Sequence, residues 1–376
     1  ISQDSDAGAC SASVTVPDPT TADNCSVVKQ TWAMTGATVA ASPATGIQQV
    51  GTTVFNGGVT TITYTIEDAA GNTETCSLDV TVSDNIDPTI ICAGDISQDV
   101  DAGQCDATVT ITAPTIADNC SVVKQTWAMT GATVAASPAT GINNVTGQTF
   151  NIGVTTVTYT VEDAAGNSAT CSMTVAVTDN IDPTITCAGD ISQNVDAGSC
   201  DASIVIANPT IADNCSVAKQ TWAMTGATVA TSGVAGINQV GTYTFGSGVT
   251  TITYTVEDAA GNSATCSMTV TVTDNIDPAI TCAGDISQNV DAGSCDASVV
   301  VADPTIADNC SVVKQTWAMT GATTDASPAT GTNQVGTYTF SPGVTTITYT
   351  VEDAAGNSAT CSMTVTVTDN IDPTIT

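Results

Sequence analysis

The sequence predicts an all-β protein built from tandem β-sandwich domains of about seven strands each, joined in an extended rod. Three observations carry this prediction. A unit of about 95 residues occurs four times, short segments alternate between apolar residues and Thr, and Gly, Pro, Asn and Asp mark turns every ten residues or so. Helical spacing of apolar residues occurs nowhere in the chain, so the prediction contains no helix.

The repeat is clearest in residues 25–47, which return unchanged at residues 120–142 and with small changes from residues 215 and 310. A unit of about 95 residues has the size of an independently folded domain and is longer than solenoid repeats. We therefore expect domains at residues 1–87, 88–182, 183–277 and 278–372, with residues 373–376 beginning a fifth. We expect the chain to be a segment of a longer array.

Two strands are predicted at the end of the second repeat. Residues 154–163 place Val157, Tyr159 and Val161 on one face and Thr residues on the other, which indicates a half-buried strand. After the turn at residues 164–167, residues 171–178 alternate again. The two segments therefore predict a β-hairpin.

The remaining strands are predicted from shorter segments. Residues 105–112 alternate, residues near Ile96 and around 149–150 favour strands, and residues 121–130 carry Trp127 on one face with Val123, Gln125 and Met129. Seven short strands with a Trp on the third are typical of an immunoglobulin-like or fibronectin-like sandwich. We expect Trp127 and Tyr159 to belong to the core and not to a sugar-stacking platform.

The charge of the chain restricts its partners. Four Lys, no Arg and no His stand against 37 acidic residues, giving a formal charge of -33. This composition excludes binding to nucleic acid or to an anionic membrane through a basic patch, and cations are the expected partners. We expect neither a membrane anchor nor a secretion leader within this segment. It has no run of 18 apolar residues, and it does not begin with charged residues followed by an apolar stretch.

The 15 cysteines predict disulfides in an exported protein, since the chain has no His and no CxxC pair for zinc. A full unit holds four, at Cys92, Cys105, Cys120 and Cys171, and three internal pairings are possible. We favour Cys120 with Cys171, which leaves Cys92 with Cys105. A bridge from Cys105 to Cys187 in the next unit is the alternative.

An acidic linker, DNIDP, follows each repeat and predicts a calcium site at each junction. The loop between the second and third strands and the last hairpin loop should meet this linker at one end of the sandwich. Their oxygens are the ligands that calcium prefers. The predicted ligands are Asp84, Asn85, Asp87, Asp118, Asn119, Asp163, Asn167, Asp179, Asn180, Asp182, Asp213, Asn214, Asp258, Asn262, Asp274, Asn275, Asp277, Asp308, Asn309, Asp353 and Asn357. A stiff Pro-containing spacer with a solvated acidic surface is the alternative.

Catalysis is not expected. Glu162 and Asp163 are adjacent in a strand and face opposite ways, so they cannot flank one glycosidic bond. A Ser, His and Asp triad is excluded because the chain has no His, and no nucleotide-binding glycine loop is present. The protein is therefore predicted not to be an enzyme.

Several segments together resemble tandem hyalin repeats, the HYR domain. They are PTIADNC at residues 114–120, GVTTVTYTVEDAAGN at residues 153–167, the TCSMTV segments and the DNIDP linkers. The sequence departs from the family pattern at Ala93, Ala188 and Ala283, where Pro is usual after the first Cys of the unit. In its repetition the chain is similar to giant Bacteroidetes cell-surface adhesins, including those of flavobacterial gliding motility.

This resemblance implies an extracellular function at a bacterial outer membrane. The segment would be the structural shaft of a secreted adhesin filament that projects a distal adhesive region. Its partners would be neighbouring repeats, calcium, and surface glycans or a substratum bound through a region outside this segment. A multivalent carbohydrate-binding array and a self-assembling matrix or sheath protein are the alternatives.

Overall fold

The computed structural model describes residues 1–374, and within them the secondary structure is entirely β. The chain divides into two compact units, residues 1–180 and residues 181–376. Each unit holds two sequence repeats. The two units are described separately below.

The strands of the first unit fall into two groups that correspond to the first two repeats. Those of the first repeat are β1 Ser2–Asp4, β2 Ser11–Val16, β3 Val27–Gly36, β4 Ala40–Ala41, β5 Gly51–Asn56, β6 Gly58–Asp68 and β7 Thr73–Ser83. Those of the second are β8 Thr89–Ile91, β9 Ile96–Asp99, β10 Asp106–Val109, β11 Thr115–Ala117, β12 Val122–Gly131, β13 Ala135–Ala136, β14 Gln148–Asn151, β15 Gly153–Asp163 and β16 Ser168–Thr178.

The second unit repeats this arrangement. The third repeat has β17 Thr184–Thr186, β18 Ile191–Asn194, β19 Asp201–Ile206, β20 Thr210–Ala212, β21 Val217–Gly226, β22 Ala230–Thr231, β23 Gly241–Gly246, β24 Gly248–Asp258 and β25 Ser263–Thr273. The fourth has β26 Ala279–Thr281, β27 Ile286–Asn289, β28 Ala297–Val301, β29 Thr305–Ala307, β30 Val312–Gly321, β31 Asp325–Ala326, β32 Gly336–Phe340, β33 Gly343–Asp353 and β34 Ser358–Thr368.

Each repeat is a sandwich of one large sheet and one or two smaller strand pairs. In the second repeat the large sheet has the order β13-β12-β15-β16-β9, with β9 parallel to β16 and the other pairs antiparallel. The pairs β10 with β14 and β8 with β11 form the smaller part. The predicted all-β tandem sandwiches are confirmed. The strands that the sequence did not predict are only two or three residues long, too short to show an alternating pattern.

The core of each sandwich lies between these layers, as the alternation predicts. In the third repeat, Phe245 of the smaller sheet packs in one cluster with Met224, Tyr254 and Met268 of the large sheet. Trp222 is half-buried against the same cluster. The predicted β15–β16 hairpin is present, and Tyr159 is 1% exposed.

Val123 is one position where the alternation fails. It was predicted to share a face with Gln125 and Met129, which are both buried, yet it is 49% exposed. The register of β12 against β15 shifts between Val122 and Lys124. A bulge of this kind inserts an extra residue, so the side chains before and after it no longer share one alternating pattern.

The disulfides differ from the predicted pairs. Within repeats, Cys92 bonds Cys171, Cys187 bonds Cys266, and Cys282 bonds Cys361. Between successive repeats, Cys10 bonds Cys120 and Cys200 bonds Cys310. Cys105 and Cys215 are also disulfide-bonded, whereas Cys25, Cys76 and Cys295 are exposed thiols.

The predicted bridges of Cys120 to Cys171, Cys92 to Cys105, and Cys105 to Cys187 are therefore wrong. Cys171 lies within β16 and faces Tyr159 of β15, not in the hairpin loop. The incoming strand β8 lies against β16 and brings Cys92 to it. Cys120 is left at the end of the sandwich, where the preceding repeat presents Cys10.

Candidate metal centre

Three aspartates from separate segments meet at the junction of the first and second repeats. Asp84 follows β7, Asp118 follows β11, and Asp163 ends β15. One carboxylate oxygen from each lies within 4.8 Å of the others. Asp274, Asp308 and Asp353 form the same cluster at the junction of the third and fourth repeats. We call these two sets the junction clusters.

The hairpin loop after β15 fixes one member of the cluster. Asp163 Oδ1 accepts hydrogen bonds from the backbone N–H groups of Gly166 and Asn167 at 2.7 and 2.8 Å, and Oδ2 accepts one from Asn167 Nδ2 at 2.8 Å. Burial by itself raises the pKa of Asp163, but the bonds from the Asn167 side chain and the loop backbone lower it below its usual value overall. The carboxylate is therefore held charged and in a single orientation.

Asparagine amides join the two repeats around the linker aspartate. Asn119 Nδ2 donates to Asp84 Oδ1 at 3.0 Å and to the carbonyl oxygen of Ala9 in the preceding repeat at 3.1 Å. Asn167 Nδ2 donates to the carbonyl oxygen of Asp84 at 3.1 Å. The Nδ2 group of Asn119 makes these contacts, and its Oδ1 atom is left without a hydrogen-bond donor.

The same contacts recur at the second junction cluster. Asn309 Nδ2 donates to Asp274 Oδ1 at 3.2 Å and to the carbonyl oxygen of Ser199 at 2.9 Å. Asn357 Nδ2 donates to the carbonyl oxygen of Asp274 at 3.1 Å. The geometry is therefore a property of the repeat junction and not of one copy.

Each junction cluster holds three buried oxygens without a hydrogen-bond donor. They are Oδ2 of the linker aspartate, Oδ1 of the second aspartate and Oδ1 of the adjacent asparagine: Asp84, Asp118 and Asn119 at one junction, and Asp274, Asp308 and Asn309 at the other. Asp274 is only 4% exposed. A buried oxygen that lacks a donor is costly, and several charged ones together repel. A cation bound by oxygen alone would satisfy all of them, and this ligand chemistry fits calcium.

Not all predicted ligands meet at these clusters. Asn85 turns back to the preceding repeat and donates to Asp4 Oδ1 at 2.7 Å. Asp87 is exposed and is not part of the cluster. At the second junction Asn275 and Asp277 are likewise exposed and outside the cluster.

The third repeat carries the corresponding loop residues. Asp213 Oδ2 accepts the backbone N–H of Cys215 at 3.0 Å, and Asp258 Oδ1 accepts that of Asn262 at 2.8 Å. Asn214 lies between Asp213 and Cys215. In the linker that follows the second repeat, Asp179 occupies the position of Asp84, Asn180 donates to Asp99 Oδ2 at 2.8 Å, and Asp182 is exposed.

Sequence reasoning missed the disulfide beside each junction cluster. Cys10 directly follows Ala9 and Cys120 directly follows Asn119, and the Asn119 side chain donates a hydrogen bond to the Ala9 carbonyl oxygen across the junction. No spacing in the sequence singles out this pair, because the repeat gives every possible pairing a constant separation, which is 110 residues in Cys10–Cys120 and Cys200–Cys310. A bridge of this kind holds the two loops together whether or not an ion is bound.

The adjacent carboxylates Glu162 and Asp163 do not face one cleft. Glu162 pairs with Lys124 at 2.8 Å, on the opposite side of the strand from the junction cluster. Each repeat has the equivalent pair of Lys and Glu. This arrangement agrees with the prediction that the two carboxylates face opposite ways.

Comparison with known proteins identifies the family whose pattern this chain matches. The family described as HYR domain matches residues 3–82, 83–177, 178–272 and 273–367. Hyalin of Strongylocentrotus purpuratus is 30% identical over 326 residues, which cover 84% of this chain and 23% of that protein. Hyalin of Lytechinus variegatus is 31% identical over 329 residues, covering 85% and 54% respectively. The chain therefore spans about half or less of the length of these relatives.

Among solved structures, cadherin domains 3–6 of protocadherin gamma B2 align over 98% of this chain and 97% of that one, with 15% identity and a TM-score of 0.34. A likeness at this level carries no functional argument. In the part of the chain that the structure describes, no helix is long and apolar enough to span a membrane.

Proposed function

The chain belongs to the HYR domain family, and from that premise we propose that it is a structural segment of an extracellular adhesion protein. In this proposal the repeats act as a shaft that holds a distal adhesive region away from its surface of origin. The disulfides support an oxidising compartment, since such bonds are rare in reducing cytosol.

The observation that carries the proposal is the construction of the junctions within each unit. A covalent bond between repeats, Cys10–Cys120 or Cys200–Cys310, lies beside hydrogen bonds from Asn119 or Asn309 to the preceding repeat. A single flexible linker would leave successive domains free to rotate. Here the peptide linker and the disulfide both connect the repeats covalently, and directed hydrogen bonds lie beside them. This construction favours a fixed junction that transmits tension.

Calcium is the proposed cofactor of these junctions. At the first cluster, Asp84, Asp118, Asn119 and Asp163 would supply side-chain oxygens, with further ligands from water or backbone. Calcium would neutralise the mutual repulsion of the three carboxylates and bind residues from both repeats at once. The protein would therefore be stiffer with the ion than without it.

The proposed setting is the surface of a bacterial cell, and gliding motility is the finer role that the family resemblance suggests. This part of the proposal rests on that resemblance alone, because the named relatives are sea urchin proteins. The broader proposal of an extracellular structural segment does not depend on this bacterial setting.

The rival carbohydrate-binding array draws no support from the aromatic residues. The core tyrosines Tyr64, Tyr159, Tyr254 and Tyr349 are at most 1% exposed, and Trp32 and Trp222 pack partly buried against core clusters. A stacking platform requires an exposed aromatic face. Detection of glycan binding by the full chain would support this alternative.

The experiment that tests the proposal is calcium titration of the full chain by isothermal calorimetry, combined with thermal unfolding and small-angle X-ray scattering. We expect saturable binding, a higher melting temperature and a narrower distribution of shapes in calcium than in chelator. Magnesium should substitute poorly, because it demands a smaller octahedral site. If calcium neither binds nor changes melting or shape, the calcium-stiffened shaft is refuted.

A further inference from the structure

The disulfide within a repeat joins its first strand to its last. In the third repeat Cys187 directly follows β17, and Cys266 lies within β25, 79 residues later. The fourth repeat has the same bond between Cys282 and Cys361, with the same separation. All four cysteines are half-buried and pack against the core cluster of their own repeat. Each of these repeats is therefore closed by a covalent bond between the start and the end of its fold.

This bond changes which part of the chain carries tension. A pull on a cross-linked chain is carried by its shortest covalent route, because the longer route is slack while the shorter one is taut. In the third repeat the short route crosses from Cys187 to Cys266 and leaves out residues 188–265, which include β18 to β24. These strands hold Phe245 and Tyr254 of the core. The polypeptide that builds the core is therefore not on the route that is stretched.

The length that remains on the route is short. Between the bonds of the third and fourth repeats it is the 16 residues from Cys266 to Cys282. An extended chain spans at most about 3.5 Å per residue, so this segment reaches about 55 Å at most. Without the bonds a repeat of 95 residues would reach about 330 Å. The bonds thus reduce the greatest extension of a repeat about sixfold.

The segment that does carry tension is itself held in sheets of both repeats. Residues 267–272 of β25 pair with β24, and residues 270–273 pair with β18 on the other side. Beyond the linker, β26 pairs with β29 of the fourth repeat. Stretching this segment therefore requires hydrogen bonds on both sides of the junction to break.

The bond between repeats, Cys200–Cys310, adds a longer route across the same junction. It runs through 13 residues from Cys187 to Cys200 and 51 residues from Cys310 to Cys361, 64 in total, against 16 on the short route. This longer route is slack while the bonds within the repeats are intact. It becomes the shortest route if the bond of Cys282 to Cys361 is lost.

We propose that the disulfides act together as a limit on the extension of the array. The bond within each repeat sets the first limit, and the bond between repeats sets a reserve limit. In the first unit, Cys10–Cys120 overlaps Cys92–Cys171 in the same order. Unfolding of a repeat under load then lengthens the chain very little. The limit follows from the covalent connections alone, whereas its use in a shaft rests on the function proposed above.

The limit exists only while the bonds are oxidised. A dithiol such as dithiothreitol supplies two electrons and two protons to each bond, which becomes two thiols, while the dithiol closes to a cyclic disulfide. The reduced chain should therefore stretch to the full length of its polypeptide. In an oxidising compartment the limit is kept.

The test is single-molecule stretching of the full chain by atomic force microscopy, through peptide tags at its two ends. The exposed thiols Cys25, Cys76 and Cys295 are first blocked with iodoacetamide, so that they cannot exchange with the bonds. The measured quantity is the fully stretched length at high force. It depends on the covalent connections and not on whether a variant folds.

Three variants replace bonded cysteines in pairs. Cys200→Ala with Cys310→Ala is the matched control and should leave the stretched length unchanged, because the short route does not use that bond. Cys282→Ala with Cys361→Ala should lengthen the chain by the difference between the two routes, 48 residues or about 165 Å. Replacing all four should lengthen it by 79 residues, or about 270 Å.

Each result decides one part of the proposal. Equal lengths for the wild type and the variant without Cys282 and Cys361 would overturn the first limit. A gain of 79 residues in that variant, with Cys200 and Cys310 still present, would overturn the reserve limit. Lengthening of the control variant would overturn the order of the two.

Stretching in calcium and in chelator separates this proposal from the calcium role. The stretched lengths should agree in the two solutions, since covalent bonds set them. An intact limit with no effect of calcium on melting or shape refutes only the calcium-stiffened shaft. A wild-type chain that stretches to its full polypeptide length, yet responds to calcium, refutes only the extension limit.

Discussion

Replacing Asp274 by Asn should stabilise this protein in chelator and remove most of the stabilisation that calcium supplies. Asp274 is 4% exposed, and its Oδ2 has no hydrogen-bond donor. The substitution keeps the shape of the side chain and its Oδ1, which accepts the bond from Asn309. It changes only the charge and the second oxygen. The variant should be more stable than the wild type in chelator, and calcium should raise its stability much less than it raises that of the wild type.

The magnitude follows from the geometry of the cluster. Ligand oxygens of Asp274, Asp308 and Asp353 lie within 4.8 Å of one another. At that distance each pair of charges repels by about 1 kcal/mol at the dielectric constant of water and by about 3.5 kcal/mol at an effective value of 20. Asp274→Asn removes two of the three pairs. Without calcium, the free energy of unfolding should therefore rise by about 2 kcal/mol or more.

Calcium stabilises the wild type because it binds to the folded state. An ion present at a hundred times its dissociation constant contributes about 2.7 kcal/mol, and a variant that binds the ion much more weakly loses most of this contribution. The assay is thermal unfolding of the full chain at constant ionic strength, with hydrogen exchange to resolve the fourth repeat. Exchange is needed because a chain of several domains does not unfold in one two-state step.

Asp277→Asn is the matched control, since Asp277 lies in the same linker but is exposed and outside the cluster. It should leave stability unchanged in both solutions. The reasoning is refuted if Asp274→Asn lowers stability in chelator. That outcome would mean that Asp274 acts only as a hydrogen-bond acceptor and that the three carboxylates do not repel appreciably.

Three further predictions concern the sandwich itself. Gly131→Ala should destabilise the second repeat by about 2 kcal/mol or more in a denaturation experiment. Gly131 has a φ of 101°, and a Cβ there would lie 2.4 Å from a backbone carbonyl oxygen. Gly141 has a φ of 80° and open space around it, so Gly141→Ala should have a smaller effect in the same experiment. Replacing Cys92 and Cys171 together by Ala removes a bridge across 79 residues, and loop-closure entropy sets the loss at up to about 4.5 kcal/mol; unchanged hydrogen-exchange protection of β15 and β16 would contradict this. Backbone and side-chain hydrogen bonds from Thr174 of the facing strand lower the pKa of Asp95. The stability that Asp95 contributes is therefore present above the unfolded pKa of about 4 and is lost as the pH falls through the lower folded pKa. In chelator, Asp95→Asn should flatten the decline of melting temperature below about pH 4.

Single residues show why parts of the candidate site were predictable. Asp118 and Asp163 were assigned to one end of the sandwich because alternating strands fix where loops occur, and the structure brings both to Asp84. Asp87 was predicted with them because it lies in the same DNIDP linker as Asp84, yet it is exposed. A linker has no alternating pattern, so its sequence does not show which of its two aspartates joins the cluster.

The sequence by itself determined the fold class, the repeat, the long hairpin and the aspartates of the loops, because side-chain alternation and turn residues are local consequences of strand geometry. The tertiary structure alone decided the bulge that exposes Val123, the bond of Cys92 to Cys171 and the bridge of Cys10 to Cys120. These features depend on which strand packs against which, and on how one repeat meets the next. Such contacts join residues 79 or 110 positions apart, and their distances in space are set by packing and not by any local pattern.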